Sequence, residues 1–316
     1  MDPQDQSQLD TKLSPEFIGL GELLWDCFPD RRLPGGAPAN VAYHAQQLGL
    51  RAAIVTRVGS DALGDEICEF LRSHGLGIEL VQRDAVHKTG TVTVVPTPTG
   101  AGYTFLADSA WDFLAPQPEL MAAMRSARAV GFGTLAQRAD TSRRTIHDCL
   151  ASASDDCLIV YDVNLRPPFY EREWIEKSLL RATVVKLNDD EVPVLSNMFG
   201  VPKASDRDFA RHLLDTWPQV ELVCVTRGAN GCLAASREGE IIEERGIPLK
   251  VEAGVKSDQV GAGDAFTAAL IGARLAGMRL DRSLHLANRV GSLVASAAGA
   301  MPDYRGELAA LRREFT

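Results

Sequence analysis

The most specific chemistry in the sequence lies in residues 258–266, which read DQVGAGDAF and lead into an apolar helix. Gly261 and Gly263 allow the backbone to turn tightly and to approach a ligand closely. The helix that follows offers unpaired N–H groups and the positive end of its dipole. Together these features predict a hole for a phosphoryl group, with Asp264 at its mouth to accept the proton of an attacking hydroxyl. The alternative is a helix cap at Asp264 and a packing role for the glycines.

Three further segments set polar residues at turns. Residues 35–40, GGAPAN, form a second glycine turn that opens a helix beside a small polar molecule. Residues 186–191, KLNDDE, end a strand and open a helix, so Asn188 and Glu191 lie one turn apart on the same face. This spacing suits a magnesium ion held through waters near phosphates, or an ordinary capping box. Residues 226–231, TRGANG, predict a strand followed by a glycine turn, or a hairpin.

Short apolar runs that alternate with helix-length amphipathic stretches must position these segments. Continuous runs of this kind predict a parallel sheet buried on both faces. The runs cover residues 17–24, 52–58, 129–133, 157–163, 183–187 and 222–226. Polar residues close several of them, namely Asp162, Asn164, Asn188 and Thr226. Ligands of open α/β sheets bind beyond the carboxyl ends of the strands, so these strand ends predict one cleft.

Two segments, residues 25–37 and 89–107, break this pattern because their apolar residues alternate with period two and glycine or proline supplies turns. Residues 91–95 and 103–107 predict a hairpin with one covered face. Such inserted strands predict a small accessory sheet. After about Ile242 the chain is predicted to become helical, and no internal repeat or Ser/Gly-rich linker interrupts it. We therefore expect one compact domain that carries a lid.

The amino-acid composition limits the kinds of ligand and partner that the protein can bind. The 316 residues include 33 Lys and Arg against 42 Asp and Glu, a net charge of −9 without any basic run. This balance argues against nucleic acid and membrane surfaces as partners, and it requires local features to hold any anionic ligand. The six cysteines form no C-x-x-C pair and are expected to be reduced thiols. Residues 1–14 are a polar tail without the apolar core of a signal peptide, so we expect a soluble cytoplasmic protein.

The order of these motifs resembles that of the ribokinase-type carbohydrate kinases, the PfkB family, from Gly21 to about Pro302. Residues 35–40 match the glycine signature near the N-terminus of that family, and residues 258–266 match its C-terminal signature. Within the family, five segments look most like fructokinase: residues 21–26, 36–42, 111–112, 162–167 and 186–188.

The resemblance implies a ribokinase-like α/β fold, a three-layer sandwich with a central, mostly parallel sheet and a small β-sheet lid. The kinase domain would cover residues 15–316 after a disordered tail over residues 1–14, with lid strands from about residues 25–37 and 89–107. Its activity would be ATP-dependent phosphorylation of a sugar, D-fructose to fructose 6-phosphate. The cofactors would be ATP and Mg²⁺, with K⁺ as a further one. Because lids of such kinases often pair, the protein would form a homodimer through its lid.

The same resemblance assigns roles residue by residue. Asp264 would be the general base, beside an anion hole made by the amides of Gly261, Ala262 and Gly263. Sugar hydroxyls would be held by Asp26, Gly35, Gly36 and Asn40, with Asn164 and Arg166 as further contacts. The nucleotide site would include Asn188, Thr226, Gly228, Gly231 and Asn288. Magnesium would be held through water by Asn188 and Glu191. A monovalent cation would use backbone carbonyls of Asp258 and Val260 and of the turn around Gly299.

One departure from the family pattern concerns this cation site. Position 259 is Gln where the family usually carries Thr. The change leaves the backbone ligands in the chain but makes the geometry of the loop uncertain, and the C-terminal segment after Gly299 keeps only part of the family's closing pattern.

Three other functions compete with fructose phosphorylation. The chain could phosphorylate another small sugar or sugar acid, such as ribose, 2-keto-3-deoxygluconate or a nucleoside. A catalytically silent sugar-binding regulator is an alternative of another class, although such a protein has no need of Asp264. A nicotinamide enzyme is the third alternative, because residues 131–136, GFGTLA, fit a dinucleotide fingerprint. The match lies mid-chain, however, and the acidic pair Asp155 and Asp156, about 20 positions on, comes before the next strand and not at its end.

Overall fold

The structure, a computed structural model, describes residues 14–97, 100–249 and 259–308. Its central element is a nine-stranded sheet in the order β13-β12-β11-β10-β9-β8-β1-β4-β5. These strands are β1 (Phe17–Leu20), β4 (Ala52–Gly59), β5 (Val81–Asp84), β8 (Ala129–Gly133), β9 (Leu158–Asp162), β10 (Val184–Asn188), β11 (Leu222–Thr226), β12 (Cys232–Ser236) and β13 (Ile241–Glu244). Neighbouring strands pair in parallel from β5 to β11, whereas β12 and β13 are antiparallel.

Helices cover both faces of this sheet because its strands are apolar on both sides. They are α1 (Ala37–Gln47), α2 (Ala62–Ser73), α3 (Pro118–Ser126), α4 (Asp140–Ser152), α5 (Arg172–Leu179), α6 (Glu191–Met198), α7 (Asp206–Thr216), α8 (Ala262–Leu275) and α9 (Leu280–Ala295). One core cluster joins the sheet to α1, α2, α8 and α9, and a second joins it to α3 through α7. The predicted three-layer α/β sandwich with a mostly parallel sheet is therefore confirmed.

A smaller sheet has the order β3-β2-β6-β7. Its strands are β2 (Leu24–Cys27), β3 (Arg32–Gly35), β6 (Gly90–Thr97) and β7 (Gly100–Phe105). Leu24, Val92 and Val94 are buried on one face, against Phe28 and Phe105. The four strands come from the two segments whose period-two alternation predicted an accessory sheet.

Three predictions about the elements were wrong in detail. The apolar run over residues 17–24 is not one strand, because the chain leaves the large sheet at Gly21, whose φ is 148°, and Leu24 begins β2 of the small sheet. The region after Ile242 is not helical at first, since β13 extends to Glu244. The sheet also has three strands beyond the predicted six. Two of them, β5 and β13, are four-residue, partly exposed strands that lack the apolar run of a buried strand, whereas β12 is buried and completes a hairpin with β11.

The remaining predictions about the chain concern its ends and its cysteines. Nearly all of the predicted tail, residues 1–14, lies outside the described residues. All six cysteines are free thiols, and five of them are buried. Within the described ranges, no helix combines the length and the apolar character that crossing a membrane requires.

Candidate active site

A left-handed turn at Gly261 opens helix α8. Gly261 has a φ of 80° and caps the helix, and a Cβ at this position would lie 2.6 Å from the carbonyl oxygen of Ala300. Only glycine fits both the backbone conformation and the close approach. The N–H of Ala262 donates to Gln259 in a 3.3 Å bond, while Asp264 stands in the first turn of the helix. The turn therefore sets a carboxylate beside the positive end of a helix dipole.

Asp264 is held by a neutral partner on α1. Its Oδ2 accepts a 2.7 Å hydrogen bond from Nδ2 of Asn40. Burial and, next to it, the negative charge of Asp162 raise the pKa of Asp264 to about 6, although Lys186, the bond from Asn40 and Arg166 act in the opposite direction. A carboxylate with a pKa near 6 is ionised at neutral pH and is a stronger proton acceptor than an ordinary aspartate.

The second glycine turn begins the helix that carries Asn40, and it lies next to Glu22, an acid that the sequence analysis did not assign to the site. Gly36 has a φ of 107°, and any side chain there would collide with the carbonyl oxygen of Glu22. The N–H of Ala37, the first residue of α1, donates to Oε1 of Glu22 at 3.2 Å. Burial raises the pKa of Glu22 to about 7. Its Oε2 is buried without a hydrogen-bond partner among the described residues.

The carboxyl ends of the central strands carry the polar residues that were predicted to meet. Asn188 and Thr226 are paired in register at the ends of β10 and β11. Asn164 follows β9 with a φ of 41°, a left-handed conformation that Asn tolerates better than most residues. Parallel strands end at the same edge, so these side chains reach one cleft.

This cleft is a cavity of about 820 Å³ between the two sheets. Most of the residues that the sequence assigned to the site line it: Asp26, Gly36, Asn40, Asn164, Arg166, Asn188, Thr226, Gly228, Gly231, Val260, Gly261, Ala262, Gly263, Asp264 and Asn288. Leu24, Val92 and Phe105 of the small sheet form an apolar part of the wall. The N-terminal glycine turn, the strand ends and the turn at α8 thus share one space.

Among the described residues, three that the sequence assigned to the site do not line this cavity: Gly35, Glu191 and Gly299. Gly35 packs against Asp26, since a side chain at Gly35 would collide with Oδ2 of Asp26. Asp258 lies outside the described residues, so its predicted role is not tested.

Glu191 completes a capping box. Its Oε1 accepts from the N–H of Leu165 at 2.7 Å and its Oε2 from the N–H of Asn188 at 2.8 Å. Its own N–H donates to Oδ1 of Asn188 at 2.9 Å. Both carboxylate oxygens therefore accept from the backbone, which confirms the capping box, whereas the contact with magnesium through water stays a prediction. Asn188 remains on the wall, next to Asp189 and Asp190.

Sequence reasoning did not assign Glu22 or Lys186 to the site. Both line the cavity, and Lys186 forms a buried ion pair with Asp162. The signal for Lys186 was its position two residues before Asn188 on an apolar strand, where a charged residue needs a partner. Glu22 follows Gly21 at a strand end, which is where the other polar site residues also stand.

Comparison with known proteins agrees with this architecture. The model of the pfkB family carbohydrate kinases matches residues 15–305. A fructokinase of Escherichia coli is 30% identical over 307 residues, which cover 92% of this chain and 96% of that protein.

Two solved structures extend the comparison. The structure of an uncharacterized sugar kinase from Pyrococcus horikoshii in complex with ATP has a TM-score of 0.80 at 25% identity, covering 95% of this chain and 100% of the other. The structure of a fructokinase double mutant from Vibrio cholerae in fructose, ADP and potassium ion bound form has a TM-score of 0.77 at 24% identity, covering 95% and 98%.

The fold and the cleft are thus those of an α/β sugar kinase. The chain belongs to the pfkB family of carbohydrate kinases, because the family model and the E. coli relative both extend over more than nine-tenths of it.

Proposed function

We propose that this protein transfers the γ-phosphoryl group of ATP to the 6-hydroxyl of D-fructose. The observation that carries the proposal is Asp264, a buried carboxylate with a pKa raised to about 6, at the N-terminus of a helix and on the wall of a cavity of about 820 Å³. The E. coli relative of this chain is a fructokinase, and the P. horikoshii relative was solved with ATP, which supports both the acceptor and the donor.

In this mechanism Asp264 accepts the proton of the sugar hydroxyl. The oxygen of that hydroxyl forms a bond to the γ-phosphorus while the bond from phosphorus to the leaving oxygen of ADP breaks. The amides of Gly261, Ala262 and Gly263 and the positive end of α8 stabilise the charge on the transferring group. Backbone amides act locally, so a protein of net charge −9 can still bind a strongly anionic nucleotide.

The sugar would lie between the glycine turn of α1 and the small sheet. Asp26, Asn40, Asn164 and Arg166 offer acceptors and donors for its hydroxyls, and Gly36 lets it approach the backbone. Apolar side chains of the small sheet would cover it and exclude water, which protects the phosphoryl group from hydrolysis. Gly35 would then contribute by leaving room for Asp26, without touching the sugar itself.

The nucleotide would occupy the part of the cavity that is lined by Thr226, Gly228, Gly231 and Asn288. The Nδ2 of Asn288 donates to the carbonyl of Arg245 at 3.4 Å, which keeps its amide beside the cavity. These groups are neutral, so they suit the base and ribose, whereas the phosphates would point towards α8.

Two cations complete the proposal. Magnesium keeps most of its waters and prefers oxygen ligands, so Asn188 and Asp189 on the wall fit it, and the ion would neutralise phosphate charge when bound. The backbone of Val260 stands at the turn where a potassium ion would bind, as the potassium in the V. cholerae structure suggests for this chain.

A panel of acceptors tests the proposed reaction. ADP release would be measured with fructose, ribose, 2-keto-3-deoxygluconate, glucose and nucleosides, and the phosphorylated carbon would be identified by nuclear magnetic resonance. The highest kcat/KM is expected with fructose, with the phosphate on carbon 6. Preferred turnover of another sugar would overturn only the assignment of fructose. Fructose binding without turnover of any acceptor would favour a silent regulator.

A homodimer through the small sheet is a second part of the proposal. The proposal rests on the family resemblance, since lids of such kinases often pair, and the exposed Val95 on β6 offers a position at which to disturb that pairing. Sedimentation of the wild type and of Val95→Lys tests it. A dimer that Val95→Lys dissociates would support the interface, and a wild-type monomer would contradict it.

A further inference from the structure

A buried ion pair lies against the helix that carries Asp264. The Nζ of Lys186 is 3.1 Å from Oδ1 and 3.0 Å from Oδ2 of Asp162, and the two residues face one another in the register of β10 and β9. Both side chains are only 7% exposed. A buried pair of this kind seldom contributes more stability than apolar residues of similar volume, so stability alone does not account for it.

The pair contacts the helix that carries Asp264. The Oγ1 of Thr267, one turn after Asp264, lies 3.2 Å from Oδ2 of Asp162 and 2.9 Å from the carbonyl oxygen of Gly263, so these two acceptors share its one proton. On the other side, Nζ of Lys186 is 3.0 Å from the place where a Cβ at Gly263 would be. The ammonium therefore lies against the first turn of α8, beside the base, and yet its two described carboxylate contacts are with Asp162.

Asp264 is surrounded by groups that shift its pKa in opposite directions. Those that face it are Asp162 from β9, Lys186 from β10, Arg166 from the segment after β9, Glu22 from the segment after β1 and the neutral Asn40 from α1. Asp162 favours the protonated form of Asp264, and Lys186 favours the ionised form. A direct salt bridge to Lys186 would make Asp264 a weak proton acceptor.

We propose that Asp162 and Lys186 are positioning residues for the base: Asp162 engages the Lys186 ammonium through both carboxylate oxygens, so the ammonium does not pair with Asp264. Asp264 is thereby left to accept the proton of the sugar hydroxyl. The inference rests on the proposed function of Asp264.

The test is the pH dependence of kcat/KM in Asp162→Asn and Lys186→Met. In Asp162→Asn the released ammonium turns to Asp264, so the acidic limb is expected to move down by about one unit, and kcat is expected to fall. In Lys186→Met the cation is lost, so the limb is expected to move up by about one unit. A role in packing alone would not shift the limb in opposite directions.

Further variants keep the test independent of folding. The double variant Asp162→Asn/Lys186→Met removes both charges, and its limb is expected between those of the single variants. Lys186→Arg keeps the cation and is expected to retain the wild-type limb. Because Glu22 also has a raised pKa, the series is repeated in Glu22→Gln, which assigns the limb to Asp264.

The outcomes separate this inference from the proposed function. Limbs that stay in place, or that move in the same direction in both single variants, would overturn the positioning role alone. Activity of Asp264→Asn close to that of the wild type would overturn the assignment of the base, and the inference with it.

Discussion

Glu22→Gln is expected to change how the free energy of unfolding depends on pH. Burial raises the pKa of Glu22 from 4.5 to about 7, so the folded protein keeps a proton that the unfolded chain releases across this range. The stability from this group is fully present below pH 4.5 and is lost as the pH rises through 7. A difference of about 2.5 units corresponds to roughly 3 kcal/mol at ~1.36 kcal/mol per unit.

Glutamine has nearly the same shape and retains the carbonyl that accepts from the N–H of Ala37, but it does not titrate. The free energy of unfolding of Glu22→Gln, minus that of the wild type, is therefore expected to rise by about 3 kcal/mol between pH 4.5 and pH 8. Urea denaturation at several pH values measures it, and most other titrating groups cancel in the difference. Glu119→Gln, on the exposed face of α3, is the matched control. A difference for Glu22→Gln that stays within about 0.5 kcal/mol, or falls with pH, would refute the reasoning.

Three other substitutions test separate parts of the structure. Gly261→Ala is expected to lower the free energy of unfolding by about 1–3 kcal/mol and to reduce kcat. The control Gly272→Ala on the same helix, where an added Cβ meets nothing within 4 Å, is expected to do neither. Equal effects of the two variants in thermal unfolding and turnover would contradict the role of Gly261 in the turn. Burial lowers the pKa of His44 from 6.5 to about 4. The free energy of unfolding of the wild type is therefore expected to fall by up to about 3 kcal/mol as the pH drops from 6.5 to 4, and that of His44→Gln to fall by less. The same acid dependence in both proteins, measured by urea denaturation, would contradict this. Arg138→Met removes the ion-pair partner of the buried Asp112 carboxylate and is expected to lower the free energy of unfolding by about 3–5 kcal/mol. Adding Asp112→Asn removes the uncompensated charge and is expected to recover part of this loss. A double variant no more stable than Arg138→Met would show that the buried charge is not the cause.

The glycine turns were predictable because their chemistry is local. Gly261 and Gly36 adopt conformations that favour glycine, and each begins a helix whose first turns carry a site residue. The spacing from Gly261 to Asp264 alone sets the carboxylate at the helix N-terminus. Strand ends such as Asn188 were predictable for a similar reason, since parallel strands finish at one edge.

Features that depend on distant packing were not predictable in the same way. The pairing of Lys186 with Asp162 follows from the register of two strands that are 24 residues apart in the chain. The raised pKa of Glu22 depends on how completely the fold buries it. At Glu191 the local pattern suited both a capping box and a magnesium contact, and the capping box became visible only with the positions of Leu165 and Asn188.

Asp264→Asn tests the central claim most directly. Fructose-dependent ADP release and the Kd for ATP would be measured on the same samples of wild type, Asp264→Asn and the surface control Asp215→Asn. We predict that Asp264→Asn lowers kcat by at least ~10², because it removes the general base, while its Kd for ATP stays within a few-fold of the wild-type value. The control should match the wild type. A kcat for Asp264→Asn within a few-fold of wild type would contradict the account of this site.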